Sequence, residues 1–191
     1  AGLAFSGAVS LAGGVSVLTS ATETYARVGA NAAIVAGGDV AVMAKDDSEV
    51  VVVAGAVAIG LSGGGAAGSV AVVTIDKLTE ATIGNNASVD ASGTGTGIGG
   101  VLTGTITGGG DPTGFGSAEA HGVILQAESS EEVTNVTVAG AGGLYVGLAG
   151  SVTVTLLNSD TKALIGAGAD INQGAGNYLA NPGTVSGAQG V

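Results

Sequence analysis

The chain holds two short runs of acids that could do chemistry. Asp46, Asp47 and Glu49 make one, and Glu128, Glu131 and Glu132 make the other. Two carboxylates a few ångströms apart can serve as acid and base on a glycosidic bond. Two features argue against such a site. Aromatic residues are 3% of the chain and Trp is absent, so little is available to stack a sugar ring. The two acidic runs also fall at equivalent places of a repeated unit, where solvated turns are expected and a unique catalytic site is not. The chain is therefore expected not to be an enzyme, and no catalytic residue is assigned.

Other candidate groups are few. His121 is the sole histidine, flanked by Ala120 and Gly122, and reads as a turn residue without a base's partner. With one His and no Cys, a zinc site lacks its usual ligands. Calcium takes oxygen ligands, and Asp111 after Gly108-Gly109-Gly110 is the one candidate. The tandem pattern of calcium-binding glycine repeats is missing, so a plain loop is the simpler reading and no cofactor is expected. Asn135-Val136-Thr137 fits the N-glycosylation pattern, which is common by chance.

These groups sit on a sequence unit that is written three times. GGVSVLTSATETYARVGANAAI begins at Gly13, GSVAVVTIDKLTEATIGNNASV at Gly68 and GSVTVTLLNSDTKALIGAGADI at Gly150. They align without a gap. The positions identical in all three are Gly13, Val15, Val17, Thr24, Ala26, Gly29 and Ala32 in the first copy. They are Gly68, Val70, Val72, Thr79, Ala81, Gly84 and Ala87 in the second, and Gly150, Val152, Val154, Thr161, Ala163, Gly166 and Ala169 in the third. The shared apolar positions alternate with Ser16, Tyr25, Arg27, Glu80 and Lys162, as in strands with one buried and one wet face. Gly29, Gly84 and Gly166 are expected at turns that need a positive φ. Asn85 and Asn86 follow at the same corner, where Asn is tolerated in the left-handed region.

Gly29 and Gly84 are 55 residues apart, and Gly84 and Gly166 are 82 apart. The additional material is an insert at 94–121, so one corner of the unit accepts insertions. The insert reads as a loop or as nearly one more turn of chain. The repeats divide the chain into 1–55, 56–137 with the insert, and 138–191, the last ending in a Gly/Asn-rich tail. About six short strands are expected per unit, with the acidic runs between them. The chain opens mid-pattern without a basic leader, as a fragment or processed form would.

Composition limits the architecture. Gly supplies 38 residues and Pro 2, with no Cys to form disulfides. Such a chain buries many small side chains over a long, thin interface, which favours stacked repeats over a globule. The net charge of −11 repels phosphate backbones, which speaks against nucleic acid. Val50 to Ile75 is uncharged and long enough to cross a bilayer, but Ser62-Gly63-Gly64-Gly65 at its centre is a poor helix interior. It reads as buried strands, and no transmembrane insertion is expected. The fold expected is all-β, a right-handed parallel β-solenoid (β-helix) built from repeats of about 55 residues. A Greek-key or sandwich domain is the runner-up.

The run Gly-Ser-Val-x-Val, then a polar turn (Thr19–Thr22 in the first copy), then Thr-x-Ala-x-Ile-Gly-x-x-Ala-x-Val, then Gly-Gly-Asp-Val-x-Val-x-Ala resembles repeats of very large bacterial exoproteins. These are the filamentous haemagglutinin-like and leukotoxin-type filamentous adhesins. The resemblance covers most of the chain outside the insert and the tail. It implies a secreted or outer-surface stalk used in adhesion, biofilm or self-association, with no catalytic residues to carry over. The functional expectation is a structural adhesin stalk or a self-assembling extracellular filament subunit, associating end to end or by strand donation and facing host or surface glycans. The alternatives are a carbohydrate-binding or carbohydrate-cleaving solenoid and a functional amyloid.

Overall fold

The computed structural model describes residues 1–107, 114–173 and 184–189, the last group by backbone alone. Among these residues there are strands and turns but no helix, and so no helix long and apolar enough to cross a membrane. The first repeat gives β1 (Gly2–Ser6), β2 (Ser10–Val28), β3 (Ala33–Ala36) and the start of β4 (Val40–Gly60). The second gives β5 (Gly64–Ile83), β6 (Ser88–Ala91), the insert strands β7 (Ile98–Ile106) and β8 (Phe115–Ala120), and the start of β9 (Val123–Gly143). The third gives β10 (Val146–Ile165), β11 (Asp170–Ile171) and β12 (Thr184–Gln189).

The strands are fewer and much longer than the repeat pattern suggests. β2, β4, β5, β9 and β10 run for 19 to 21 residues, against the usual strand of about five or six. Thr19–Thr22, Asp46–Glu49 and Ser129–Glu132 are not turns but the middles of single strands. Val, Thr and Ala dominate these runs and no proline interrupts them. Asp46, Asp47, Ser130 and Glu131 find partners on neighbouring strands, so the chain has no need to turn outward there.

One uninterrupted strand has a consequence for the shared positions. Val17 and Thr24 are an odd number of residues apart, so they point to opposite faces. Thr24, Ala26 and Val28 are half-buried and face inward, whereas Val15 and Val17 are 72% and 67% exposed. The expectation that both sets share a buried face fails for that reason.

Ladders join like positions of successive repeats. β3 and β6 are parallel with Ala33 opposite Ser88, and β6 and β11 are parallel with Ser88 opposite Asp170. β1 pairs with β4 in parallel, Gly2 opposite Ala56, and β12 with β9, Thr184 opposite Ile124. The sheet orders are β1-β4-β9-β12, β10-β5-β2 and β11-β6-β3. Bonds from Gly84 N to Val28 O and from Gly166 N to Ile83 O repeat the pattern of Ser88 N to Ala32 O and Asp170 N to Ala87 O. The repeat offset is thus also the register of β2, β5 and β10.

The chain forms two compact units, each assembled from segments of all three repeats. The first comprises Ala1–Ala21, Glu49–Asp76 and Glu132–Asn158. Its inner faces hold Ala12, Ala56, Ala58 and Ala67 in one cluster and Val52, Ala54, Ala71, Val73 and Ile75 in another. Small residues are required here because backbones approach closely: a methyl group on Gly14 would collide with the carbonyl oxygen of Gly55. The Val50–Ile75 stretch is the end of β4 and the start of β5, alternating between this interior and solvent.

The second unit comprises Thr22–Ser48, Lys77–Glu131 and Ser159–Val191. Its core is Val42, Ala44, Ala81, Ile83, Ala87, Val89, Ala91, Val123, Leu125 and Ala127. The corner after β2 and β5 is left-handed at Asn31 (φ 58°) and Asn86 (φ 54°), and at Gly168 (φ 70°) after β10. Gly29, Gly84 and Gly166 do not take a positive φ. Gly84 and Gly166 are glycine for space, since a methyl there would fall 2.6 Å from Ala30 N and from Asn85 N. The insert is an antiparallel hairpin, β7 with β8, neither a loose loop nor a further parallel turn.

Candidate functional site

The densest group of ionisable side chains lies in the second unit, where β4, β5 and β9 pass one another. Alternation along β4 sends Asp46 inward and leaves Asp47 exposed. Alternation along β5 sends Lys77 inward, with its side chain 1% exposed. On β9, Glu131 points to the same interior, also 1% exposed. Lys77 Nζ donates to Asp46 Oδ1, to Glu131 Oε1 at 3.1 Å and to the Ser130 carbonyl at 3.3 Å. An ammonium has three donors, and here all three are used.

The carboxylates are held in turn. Asp46 Oδ2 accepts from Thr24 Oγ1 at 2.9 Å and Oδ1 from Ser48 Oγ at 3.0 Å. Glu131 Oε1 also accepts from Ser129 and, at 2.9 Å, from Ser159. Glu131 Oε2 is buried without a hydrogen-bond partner. Burial alone would raise the Asp46 pKa, but the bonds from Lys77, Thr24 and Ser48 outweigh it and hold the carboxyl below the usual range.

The opposite face of β9 carries a second polar row. Glu128 accepts from Lys45 Nζ at 2.5 Å, and Asp47 Oδ1 from Ser130 Oγ at 2.6 Å. Gln126 Oε1 accepts the backbone N–H of Leu102 at 2.8 Å, which ties the insert hairpin to β9. Lys45–Glu128 and Asp47–Ser130 both span 83 residues. A slip of the ladder by two residues would therefore break both pairs and strand Lys77 in the core. The polar seam fixes register, a use of buried charge that offsets its desolvation cost.

The acids expected as two clusters are thus divided. Asp46 and Glu131 meet across strands around Lys77. Asp47 and Glu128 lie on the other face, and Glu49 and Glu132 are exposed. The meeting of Lys77 with Asp46 and Glu131 was missed in the sequence. A signal for it existed: Lys77 falls on the same parity of β5 as Val73, Ile75, Ala81 and Ile83, the apolar side of the alternation.

His121 lies in the short link between β8 and β9. Its Nδ1 is 3.7 Å from Asp39 Oδ1 and its Nε2 3.8 Å from Glu119 Oε1, both beyond hydrogen-bond reach. Asp39 Oδ1 is engaged by Gly122 N at 2.6 Å. Among the described residues no three His, Asp or Glu side chains are grouped to hold a metal. Asp111, the calcium candidate, lies outside the described residues. Asn135 Nδ2 donates to Thr155 Oγ1 at 2.6 Å, within the first unit. On the surface of the second unit, Arg27 lies 3.8 Å above the Tyr25 ring and pairs with Glu80 at 3.0 Å.

Comparison with known proteins gives no match: no family model, no curated protein and no solved structure is similar to this chain.

Proposed function

We propose that the chain is a segment of a parallel β-solenoid that serves as a non-catalytic scaffold at the bacterial cell surface or outside the cell, as an adhesin stalk or a filament subunit. The observation that carries this reading is the agreement between ladder and repeat. Ala33, Ser88 and Asp170 stand at one position of three repeats and lie side by side in one parallel sheet. A chain built so can grow by adding repeats without altering any contact already made.

The chemistry fits a scaffold. Lys77, the deeply buried base, is saturated by three acceptors and has no lone pair to attack a substrate. Its carboxylate partners face the interior, away from any sugar. The Gly-Ser-Val-x-Val resemblance to filamentous exoprotein repeats points the same way. In the sheet β10-β5-β2, strands β2 and β10 are edges whose outer backbone groups can accept a further strand. Stacking at such an edge is the route to end-to-end assembly.

Electron microscopy of the purified chain over a range of concentrations tests this. Rods that lengthen with concentration are expected of a filament subunit. Single compact particles at every concentration, together with turnover of a polysaccharide, would replace the scaffold reading by that of a solenoid enzyme.

A further inference from the structure

The first unit has large apolar side chains on its outside. Of the strongly exposed large apolar residues among those described, only Tyr25, Val35, Ile106, Leu164 and Ile165 belong to the second unit. The first unit carries no base, and its acids Glu49, Asp76 and Glu132 each stand at the end of a segment. In the sheet β10-β5-β2, residues 10–21, 64–75 and 146–158 carry no charge at all.

The outer face of that part of the sheet is corrugated. With the register given by the ladder bonds, Val15, Val70 and Val152 form one row across the strands, and Val17, Val72 and Val154 the next. Val15 is 72% exposed, Val152 is 56% and Val70, on the central strand, is 37%. On the other side of the first valine row runs Gly13, Gly68 and Gly150, then a row of Leu11, Ala66 and Leu148. The glycine row is open: nothing lies within 4 Å of a methyl placed on Gly13 or Gly150, and for Gly68 only Gly150 O at 3.9 Å. The face is thus ridge, groove, ridge, ridge, with rows about 7 Å apart. Parallel sheets are ordinarily covered on both faces, and among the described residues nothing covers this one.

We propose that this face pairs with the same face of a second copy of the chain. A twofold axis lying between the glycine row and the Val15 row exchanges the two. The Val15 ridge of each copy then seats in the partner's glycine groove and its Val17 row lies along the partner's Leu11 row, the self-complementary contact an isologous dimer needs. Three strands by about twelve residues give a footprint of about 600 Å² per copy, about 1,200 Å² for the pair, at the lower limit of specific interfaces. Association is therefore reversible. The opposite sheet has no row of three glycines. A bilayer is the poorer occupant, because the unpaired backbone groups along the edges of β2 and β10 would have no partner in hydrocarbon. This pairing uses a face, whereas end-to-end stacking uses edges, so the two stand independently.

Gly68→Val decides it. The substitution fills the groove, adds apolar surface and leaves the interior untouched. Sedimentation of the full chain from about 1 to 200 µM should show native particles of twice the mass of the Gly68→Val particles, whether those are single chains or single rods, with pairing at least about tenfold weaker in the variant. Val152→Lys should do the same. Circular dichroism and melting at low concentration should show both variants folded. Association of Gly68→Val equal to or stronger than native would overturn the proposal, as would a native chain that stays monomeric. Capture of the native chain by neutral phosphatidylcholine vesicles, undiminished in Gly68→Val, would overturn it in favour of lipid. In micrographs, native rods should lie in pairs and Gly68→Val rods singly. Pairs that persist in the variant fault the face alone, while absence of rods with dimers intact faults the stacking alone.

Discussion

Lys77 Nζ lies 3.1 Å from Glu131 Oε1 in the interior of the second unit, and each side chain is 1% exposed. The residues come from β5 and β9, in the middle of strands about 20 residues long. Only side-chain complementarity can hold such strands in register at their centres, because the turns that set register are far away. Lys77 supplies that marker. Displaced by one residue it would point outward, and displaced by two it would lose both carboxylates.

Removing the cation should be costly. Lys77→Met keeps the volume but leaves Asp46 and Glu131 facing each other without a counter-charge, a defect worth about 3–5 kcal/mol. Glu131→Gln should cost less, since Lys77 keeps Asp46 and the Ser130 carbonyl. Urea unfolding midpoints with a common slope would measure both. Equal midpoints for Lys77→Met and the native chain would show that the cluster does not hold the strands.

Asp46 makes part of this stability depend on pH. Its folded pKa is lowered, so its contribution is complete above the unfolded value, about 3.9, and is lost as pH falls through the folded value. Stability should hold from pH 7 to about pH 4 and fall below that. The loss should be smaller in Asp46→Asn, which carries no proton-linked difference at this position. Parallel unfolding curves at pH 6 and pH 3 check it. Identical losses in the two proteins would assign the acid sensitivity to other carboxylates.

The all-β class, the three repeats and their offset could be read from residues alone, because they rest on composition and on identities such as Gly13, Gly68 and Gly150. Strand length could not. Thr19–Thr22 and Asp46–Glu49 have the composition of turns, yet both are strand, and at Asp46 and Asp47 the partners that hold the strand lie 22 to 83 residues away. Read as turns, those middles place Val15 and Thr24 on the same face and hide the exposed valine rows. The corner was legible in part. Asparagine marked the left-handed position, but Gly84 was tied to φ when its true constraint is the approach of Ala30 N. The Lys77 site needed three strands from separate stretches of chain, which no local pattern specifies.

Two neighbouring glycines separate the inside of the first unit from its outside. Gly14 points inward, where a methyl would collide with Gly55 O, a backbone atom that can yield only if the sheets move apart. Gly14→Ala should therefore destabilise by about 1–3 kcal/mol, as overpacking does. Gly13 points outward with nothing within 4 Å. There Ala relieves the entropic cost of glycine in a strand, so Gly13→Ala should stabilise by about 0.5–1 kcal/mol. Thermal or urea unfolding at about 1 µM, below the concentration at which faces pair, isolates these effects. Opposite signs at adjacent positions are expected only if the parity of β2 is as described. Destabilisation by Gly13→Ala with Gly14→Ala tolerated would mean that the valines of this strand face inward after all, and the bare face would vanish with them.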